Sequence, residues 1–221
     1  MFGLMQQQPL LVSSFIQHAA RNHGSVEVVS RLGDDTIHRT NYAEVEQRSR
    51  RLVRVLQRLG VKPGDRVATL AWNSHRHLEL YYAISGMGAV CHTVNPRLAL
   101  DDIAYIVNHA EDVVLFVDTS FADLVASLAP LVRDSVRAVV LLTDPDDMPD
   151  VALAPGMRLA CYDTLMAEAD DDYAWPSFDE NIAAAMCFFI YLPRGEPYTT
   201  SSCLILQAGN RAKADGCSGA I

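Results

Sequence analysis

His75 and His77, His92 beside Cys91, and the Trp72-Asn73 pair are the side chains of this 221-residue sequence whose types could do chemistry. Two imidazoles can ligate a metal or relay a proton. Residues two apart on a helix, however, point about 200° apart, so His75 and His77 cannot share one ion as an i, i+4 pair can. They are read as structural or surface histidines. His92 lies in an apolar run and is read as a hydrogen-bonded core histidine rather than a catalytic base. Trp72 and Asn73, at the end of another apolar run, could wall a pocket, and an aromatic packing residue before a helix-starting Asn-Ser pair accounts for them equally. No carboxylate or nucleophile stands at a spacing that supports catalysis. No catalytic, cofactor-binding or metal-ligating residue is therefore assigned.

Phosphate chemistry needs backbone N–H groups gathered in a Gly-rich turn, or a dense basic surface. There is no G-x-G-x-x-G after the first strand of the parallel set, where Trp72-Asn73-Ser74-His75 stands, and no G-x-x-x-x-G-K-[ST] anywhere. Arg48, Arg50, Arg51, Arg54 and Arg58 form a basic helical face, but Glu44 to Arg48 and Glu46 to Arg50 have the spacing of ordinary surface ion pairs. The five cysteines, Cys91, Cys161, Cys187, Cys203 and Cys217, are odd in number and irregularly spaced, which indicates neither a disulfide framework nor a zinc site.

The net charge of −9 is concentrated between Asp144 and Glu180, where eleven acidic residues face Arg158 alone. That stretch is read as a solvated linker or loop face. No basic surface suited to nucleic acid is visible. Apolar residues make up 50% of the chain, enough for a core. The longest apolar run, Ile182 to Leu192, falls short of the ~20 residues a spanning helix needs, and no basic residue precedes Arg21, so no membrane span and no secretory leader are expected. A cytoplasmic protein is the expectation.

The elements that must position these residues follow from periodicity. Leu10 to His23 reads as a helix stopped at Gly24, and Val26–Arg31 with Thr36–Thr40, joined across Gly33-Asp34-Asp35, as a hairpin. Asn41 with Glu44 reads as a capping box opening a helix that stops at Gly60. Strands are expected over 66–72, 89–94, 113–117, 137–142 and 157–161, and helices over 75–86, 100–109 and 121–132. Nearly all-apolar strands separated by helices indicate an α/β fold with a parallel sheet covered on both faces. In such sheets ligands gather beyond the carboxyl ends of strands, here the turns after Trp72, Val94 and Val117. Residues 25–142 are expected to form the ordered layer.

Gly64-Asp65-Arg66-Val67-Ala68, Trp72-Asn73, Arg76-His77-Leu78-Glu79, Tyr81-Tyr82-Ala83, Gly86-Met87-Gly88-Ala89-Val90 and His92-Thr93-Val94-Asn95-Pro96-Arg97-Leu98 together resemble the medium- and long-chain fatty-acyl-CoA synthetases of the adenylate-forming superfamily. Tyr105 to Ala110, Val113 to Asp118 and Ala183 to Cys187 are also similar, so the resemblance runs from 25 to 187. It implies the N-terminal α/β domain of an enzyme that joins ATP to a fatty acid, releases pyrophosphate and passes the acyl group to coenzyme A, with magnesium assisting. It also implies association as a homodimer or with an intact synthetase.

After Cys187 that family carries a Ser/Thr/Gly-rich phosphate loop ending in Pro-Lys-Gly. Here Phe188-Phe189-Ile190-Tyr191-Leu192-Pro193-Arg194-Gly195-Glu196-Pro197 stands instead. The expectations are a partial N-terminal domain over 1–187, a non-matching and poorly ordered tail over 188–221 arising from a break near codon 187, and a chain that binds no cofactor and is inactive alone. Its alternatives are a non-catalytic assembly partner and a stand-alone α/β ligand-binding protein. A sheet interrupted there is expected to leave a strand edge or a face uncovered.

Overall fold

The computed structural model describes residues 3, 8–33, 35–190, 201–207 and 212–216, with side chains as far as Phe188. In chain order the elements are α1 (Val12–His23), β1 (Glu27–Arg31), β2 (Ile37–Asn41), α2 (Tyr42–Arg58), β3 (Arg66–Leu70), α3 (His75–Gly86), β4 (Val90–Thr93), α4 (Leu100–Ala110), β5 (Asp112–Val117), α5 (Ala122–Val132), β6 (Ala138–Leu141), β7 (Arg158–Cys161), α6 (Tyr162–Ala167), β8 (Ala183–Ile190), β9 (Ser201–Gln207) and β10 (Ala212–Gly216). The main sheet runs β10-β9-β8-β4-β3-β5-β6-β7, and β8 through β7 are mutually parallel. β1 and β2 form a separate antiparallel hairpin.

Two apolar layers sandwich the sheet. On one face Leu52, Leu56, Leu80, Ile84 and Tyr162 pack on Val67, Cys91 and Phe116. On the other, Ile103, Val107, Val125 and Leu128 pack on Ala68, Leu70, Leu115 and Val139. Alternate strand residues thus feed opposite layers, which is why the strands are apolar on both sides. One polar pair sits inside this core: His92 Nδ1 lies 2.6 Å from Asp112 Oδ2, and both side chains are 0% exposed. His92 is the hydrogen-bonded core histidine that the sequence indicates.

The α/β architecture and the hairpin are those expected, with local differences. Asn41 caps α2 by accepting from Glu44 N at 3.0 Å, but the Glu44 carboxylate accepts from the Thr40 hydroxyl at 2.7 Å rather than closing the box. A 3-10 turn, Thr119–Phe121, precedes α5, which therefore starts at Ala122. α6 was not anticipated, because six residues are too few to show a helical period. The layer also continues past Leu142 through β7 and β8. The outer side of β8 carries β9, antiparallel, with Phe188 opposite Cys203. The expected disorder after Cys187 concerns in large part residues 191–200, 208–211 and 217–221, which lie outside the described residues.

Most carboxylates of the acidic stretch are exposed, as a solvated loop face requires, but part of the stretch is also docked. Between β7 and β8 it crosses the α2–α3 layer and docks on the basic face of α2: Arg54 donates to Asp172 at 2.9 Å, Arg58 to the Glu168 carbonyl at 2.6 Å, and Gln47 to Asp171. Opposite charges 118 residues apart thereby meet, a pairing no local period reveals. Only Glu46 to Arg50 forms as the expected surface pair, at 3.1 Å. Further along, Trp175 donates to Glu46 at 2.9 Å, and its ring lies where a side chain on Gly86 would stand.

That contact generates a prediction. Gly86→Ala forces the indole off α3 and lowers stability by about 1–3 kcal/mol, the usual range for overpacking. The loss should shrink clearly in the double variant with Trp175→Leu. Urea midpoints of the four species test it, and an equal loss in both backgrounds would refute the steric account.

Candidate functional site

β3, β5 and β6 end side by side, and their C-terminal turns enclose a cleft of about 510 Å³ lined by Trp72, Asn73, Ser74, Arg76, Asp118 to Ser120 and Leu142 to Asp144. Each turn has its own local cause. Ser74 leaves β3 in extended backbone and its side chain accepts from His77 N, opening α3. Asp118 accepts from Ser120 N at 3.1 Å and starts the 3-10 turn after β5. Arg31, Leu32 and Gly33 of the hairpin supply a further wall.

Trp72, 44% exposed, is held at the rim. Its indole N–H donates to Ser120 Oγ at 2.9 Å, Ser120 donates to Asp118 Oδ1 at 2.9 Å, and the ring leans on Phe121 at 5.1 Å. Beneath it, His77 Nδ1 is 3.2 Å from the Trp72 carbonyl and Nε2 is 3.1 Å from Thr69 Oγ1. A carbonyl only accepts, so Nδ1 carries the hydrogen and Nε2 accepts from the hydroxyl. Burial lowers the His77 pKa against the pull of that carbonyl, in keeping with a neutral ring.

Arg76 forms the charged floor. It donates to Asp163 Oδ2 at 2.6 and 3.1 Å, to Asp144 at 3.1 Å and to the Leu142 carbonyl at 3.4 Å. Behind it Arg48 donates to Glu79 at 2.7 Å and Asp163 at 3.2 Å, and the Tyr162 hydroxyl donates to Glu79 at 2.6 Å. Glu79 is 0% exposed. Burial pushes its carboxyl above the ordinary range while Arg48 and Tyr162 pull it back. Asp163 goes the other way: burial would raise it, but Arg76 and Arg48 hold it below its usual value.

This arrangement can seat and orient a polar ligand. Arg76 already spends its donors on two carboxylates and a carbonyl, and the lining hydroxyl that donates to a carboxylate, Ser120 to Asp118, is itself capped by the Trp72 indole. The turns after Trp72 and Val117 line the cleft as the sequence suggests, whereas the turn after Val94 is not among the lining residues. His75 and His77 are both buried, so they are structural rather than surface histidines. Cys91 is buried and its thiol is pushed up to about 12 by burial, with Asp112 adding to it, which makes it inert. Sequence reasoning quoted Arg76 and Glu79 only as part of a motif and missed both their ion network and its third member, Asp163. The one available signal was the charge complementarity between the arginines of 48–58 and the acidic stretch.

The sequence profile of the AMP-binding enzyme family matches residues 15–186. The chain is 47% identical over 190 residues to a 3-methylmercaptopropionyl-CoA ligase of Ruegeria lacuscaerulensis, covering 85% of this chain and 34% of that protein. A medium-chain-fatty-acid–CoA ligase of Ectopseudomonas oleovorans is 43% identical over 188 residues, covering 85% and 34%. A long-chain-fatty-acid–CoA ligase of Thermus thermophilus is 41% identical over 215 residues, covering 96% and 37%. The chain thus spans about a third of the length of these relatives. Among solved structures, acetoacetyl-CoA synthetase from Streptomyces lividans shares the fold, with a TM-score of 0.73 at 18% identity over 90% of this chain and 30% of that one.

The cleft floor generates a pH prediction. The folded-state pKa of Asp163 lies below its unfolded value, so its contribution is present in full above about pH 4 and is lost as pH falls through the folded pKa. Arg76→Met removes part of that depression. The variant should lose about 2 kcal/mol at pH 7, the scale of charged hydrogen bonds. Its urea midpoint should then fall less than that of the parent between pH 5 and pH 3. A variant with the same acid dependence as the parent would show that Arg76 does not hold Asp163 ionised.

Proposed function

Because the chain belongs to the AMP-binding enzyme family, we propose that it is the N-terminal α/β layer of an AMP-forming ligase that activates a fatty acid for transfer to coenzyme A. The reading is carried by one observation: relatives 41–47% identical over 85–96% of this chain bear the names of acyl-CoA ligases, two of them for fatty acids. In that reaction the carboxylate attacks the α-phosphorus of ATP, pyrophosphate leaves, and the thiol of coenzyme A then displaces AMP from the acyl-adenylate.

The chain alone does not perform it, on our reading. The stretch 188–197 contains neither a Ser/Thr/Gly-rich run nor Pro-Lys-Gly, the sequence that would supply N–H groups and a lysine to phosphates. Among the described residues no group of three His, Cys, Asp or Glu side chains is placed to hold a metal ion. We place the boundary of the ligase-like domain at Cys187 and its setting in the cytoplasm. No helix among the described residues is long and apolar enough to cross a membrane. Assembly with itself or with an intact synthetase is a second reading, favoured by Val29 and Ile37, which the outer face of the hairpin exposes at 50% and 53%.

ATP–pyrophosphate exchange with octanoate and palmitate tests the first reading. The chain alone should stay at background, and a chimera carrying a fatty-acid ligase's continuation after Cys187 should form acyl-CoA. Exchange by the chain alone would overturn its inactivity. A folded, soluble chimera without activity would count against the ligase reading. Sedimentation of the chain, alone and with the intact ligase, decides the second.

A further inference from the structure

The β1–β2 hairpin is attached to the rest of the molecule in an unusual way. Its apolar residues Val29 and Ile37 face outward, while the inner face presents Val28, Ser30, His38 and Thr40, with Ser30 and Thr40 buried. Little hydrophobic adhesion therefore holds it, and a two-stranded hairpin is marginal by itself. Backbone bonds fasten only its base, Tyr42 N to Val26 O at 3.3 Å and Ala43 N to Gly24 O at 3.1 Å. Nearer the turn the contact is an aromatic one: the His38 ring lies flat on His75 at the start of α3, with centroids 3.6 Å apart and planes 16° from parallel.

Two imidazoles stack in this way only while at most one is charged. The charged surroundings disfavour even one. Arg48 of α2 and Arg76 of α3 stand beside the stack, and the nearby carboxylates are already engaged, Asp163 of α6 by both guanidiniums and Glu44 of α2 by Thr40. His75 is 3% exposed and its Nδ1 has no hydrogen-bond partner, so a proton there would gain no acceptor. Beyond the strands, Arg31, Leu32 and Gly33 form a wall of the cleft. Movement of the hairpin is movement of that wall.

We propose that the β1–β2 hairpin is a pH-sensitive flap on the cleft, docked while the His38–His75 stack is neutral and released when the stack takes up protons. The direction agrees with the electrostatics. Burial, then Arg48 and Arg76, lower His38, and burial, then His38, Arg76 and Arg48, lower His75 to about 3. A base whose docked pKa is lowered binds more protons when released, so docking is strongest above about pH 6.5 and weakens as pH falls below it.

Hydrogen exchange on the full chain at pH 7.5 and pH 5.5, corrected for intrinsic rates, tests the flap. Opening of 27–41 should rise about tenfold through His75, whose docked pKa of about 3 returns to the ordinary value on release, and further through His38. Strands 66–70 and 112–117 should keep their protection. His38→Phe keeps a flat ring on His75 without a second proton site, and should reduce the pH response of the hairpin. Equal hairpin protection at the two pH values in the parent chain would overturn the proposal, as would central strands that open together with the hairpin. A His38→Phe variant as pH-sensitive as the parent would also overturn it, and the parent comparison stands even if that variant fails to fold.

Discussion

Glu79, a carboxylate with no exposure inside an α/β layer, is answered by Arg48 at 2.7 Å, with Tyr162 completing its shell. Removing one partner of such a pair typically costs about 3–5 kcal/mol, because the other is left charged in a medium that does not solvate it. Much of the surrounding geometry follows. Arg48 cannot reach Glu79 unless α2 and α3 lie in one layer, and Tyr162 cannot reach it unless the chain returns from β7 directly into α6. Asp163, the next residue of α6, then falls between Arg48 and Arg76 and ties that helix to the end of β6 through Asp144 and Leu142.

The same network decides what the cleft offers a ligand. A free arginine at the carboxyl edge of a parallel sheet would be an anion site, but Arg76 is shared among two carboxylates and a carbonyl. Neutral groups of Asn73, Ser74, Thr119 and Thr143 are left to do the orienting. The half-exposed Trp72 adds a ring surface that Ser120 and Asp118 hold in place. Such a lining suits the seating of a polar ligand better than bond making.

Much of the fold was legible because it rests on local signals. Apolar runs of strand length, Gly60 and Gly64 between α2 and β3, and a side-chain oxygen at Asn41 and Ser74 are each visible within a few residues. The helix read at 75–86 occupies that range in the structure. The ion network was not legible, since its partners are separated by 31, 87 and 115 residues and by no period. The acidic stretch illustrates the cause. Read alone it is a solvated run. Folded, it answers the arginines of α2, and the energy lies in a pairing that exists only after both segments are placed. For His75 the sequence left structural and surface roles open, and its stacking on His38 of the hairpin is a contact that the local sequence does not encode.

Within β8, Cys187 is the last residue that pairs with β4 as well as with β9. Up to that residue β8 is held by a parallel partner, with Cys91, His92 and Thr93 opposite Ala185, Met186 and Cys187, and Ser85 donates to the Ala184 carbonyl at 2.8 Å. From Phe188 to Ile190 its pairing is with β9 alone, antiparallel, through Cys203, Ser202 and Ser201. The first set is fixed by a register that the whole parallel sheet shares, since β4 is itself locked to β3. The second depends on β9 and β10, which pair with nothing beyond each other and β8. β9 nonetheless pairs with β8 on both sides of Cys187, from Ala183 opposite Gln207 to Ile190 opposite Ser201, so the antiparallel strands build on the same β8 that the parallel register holds.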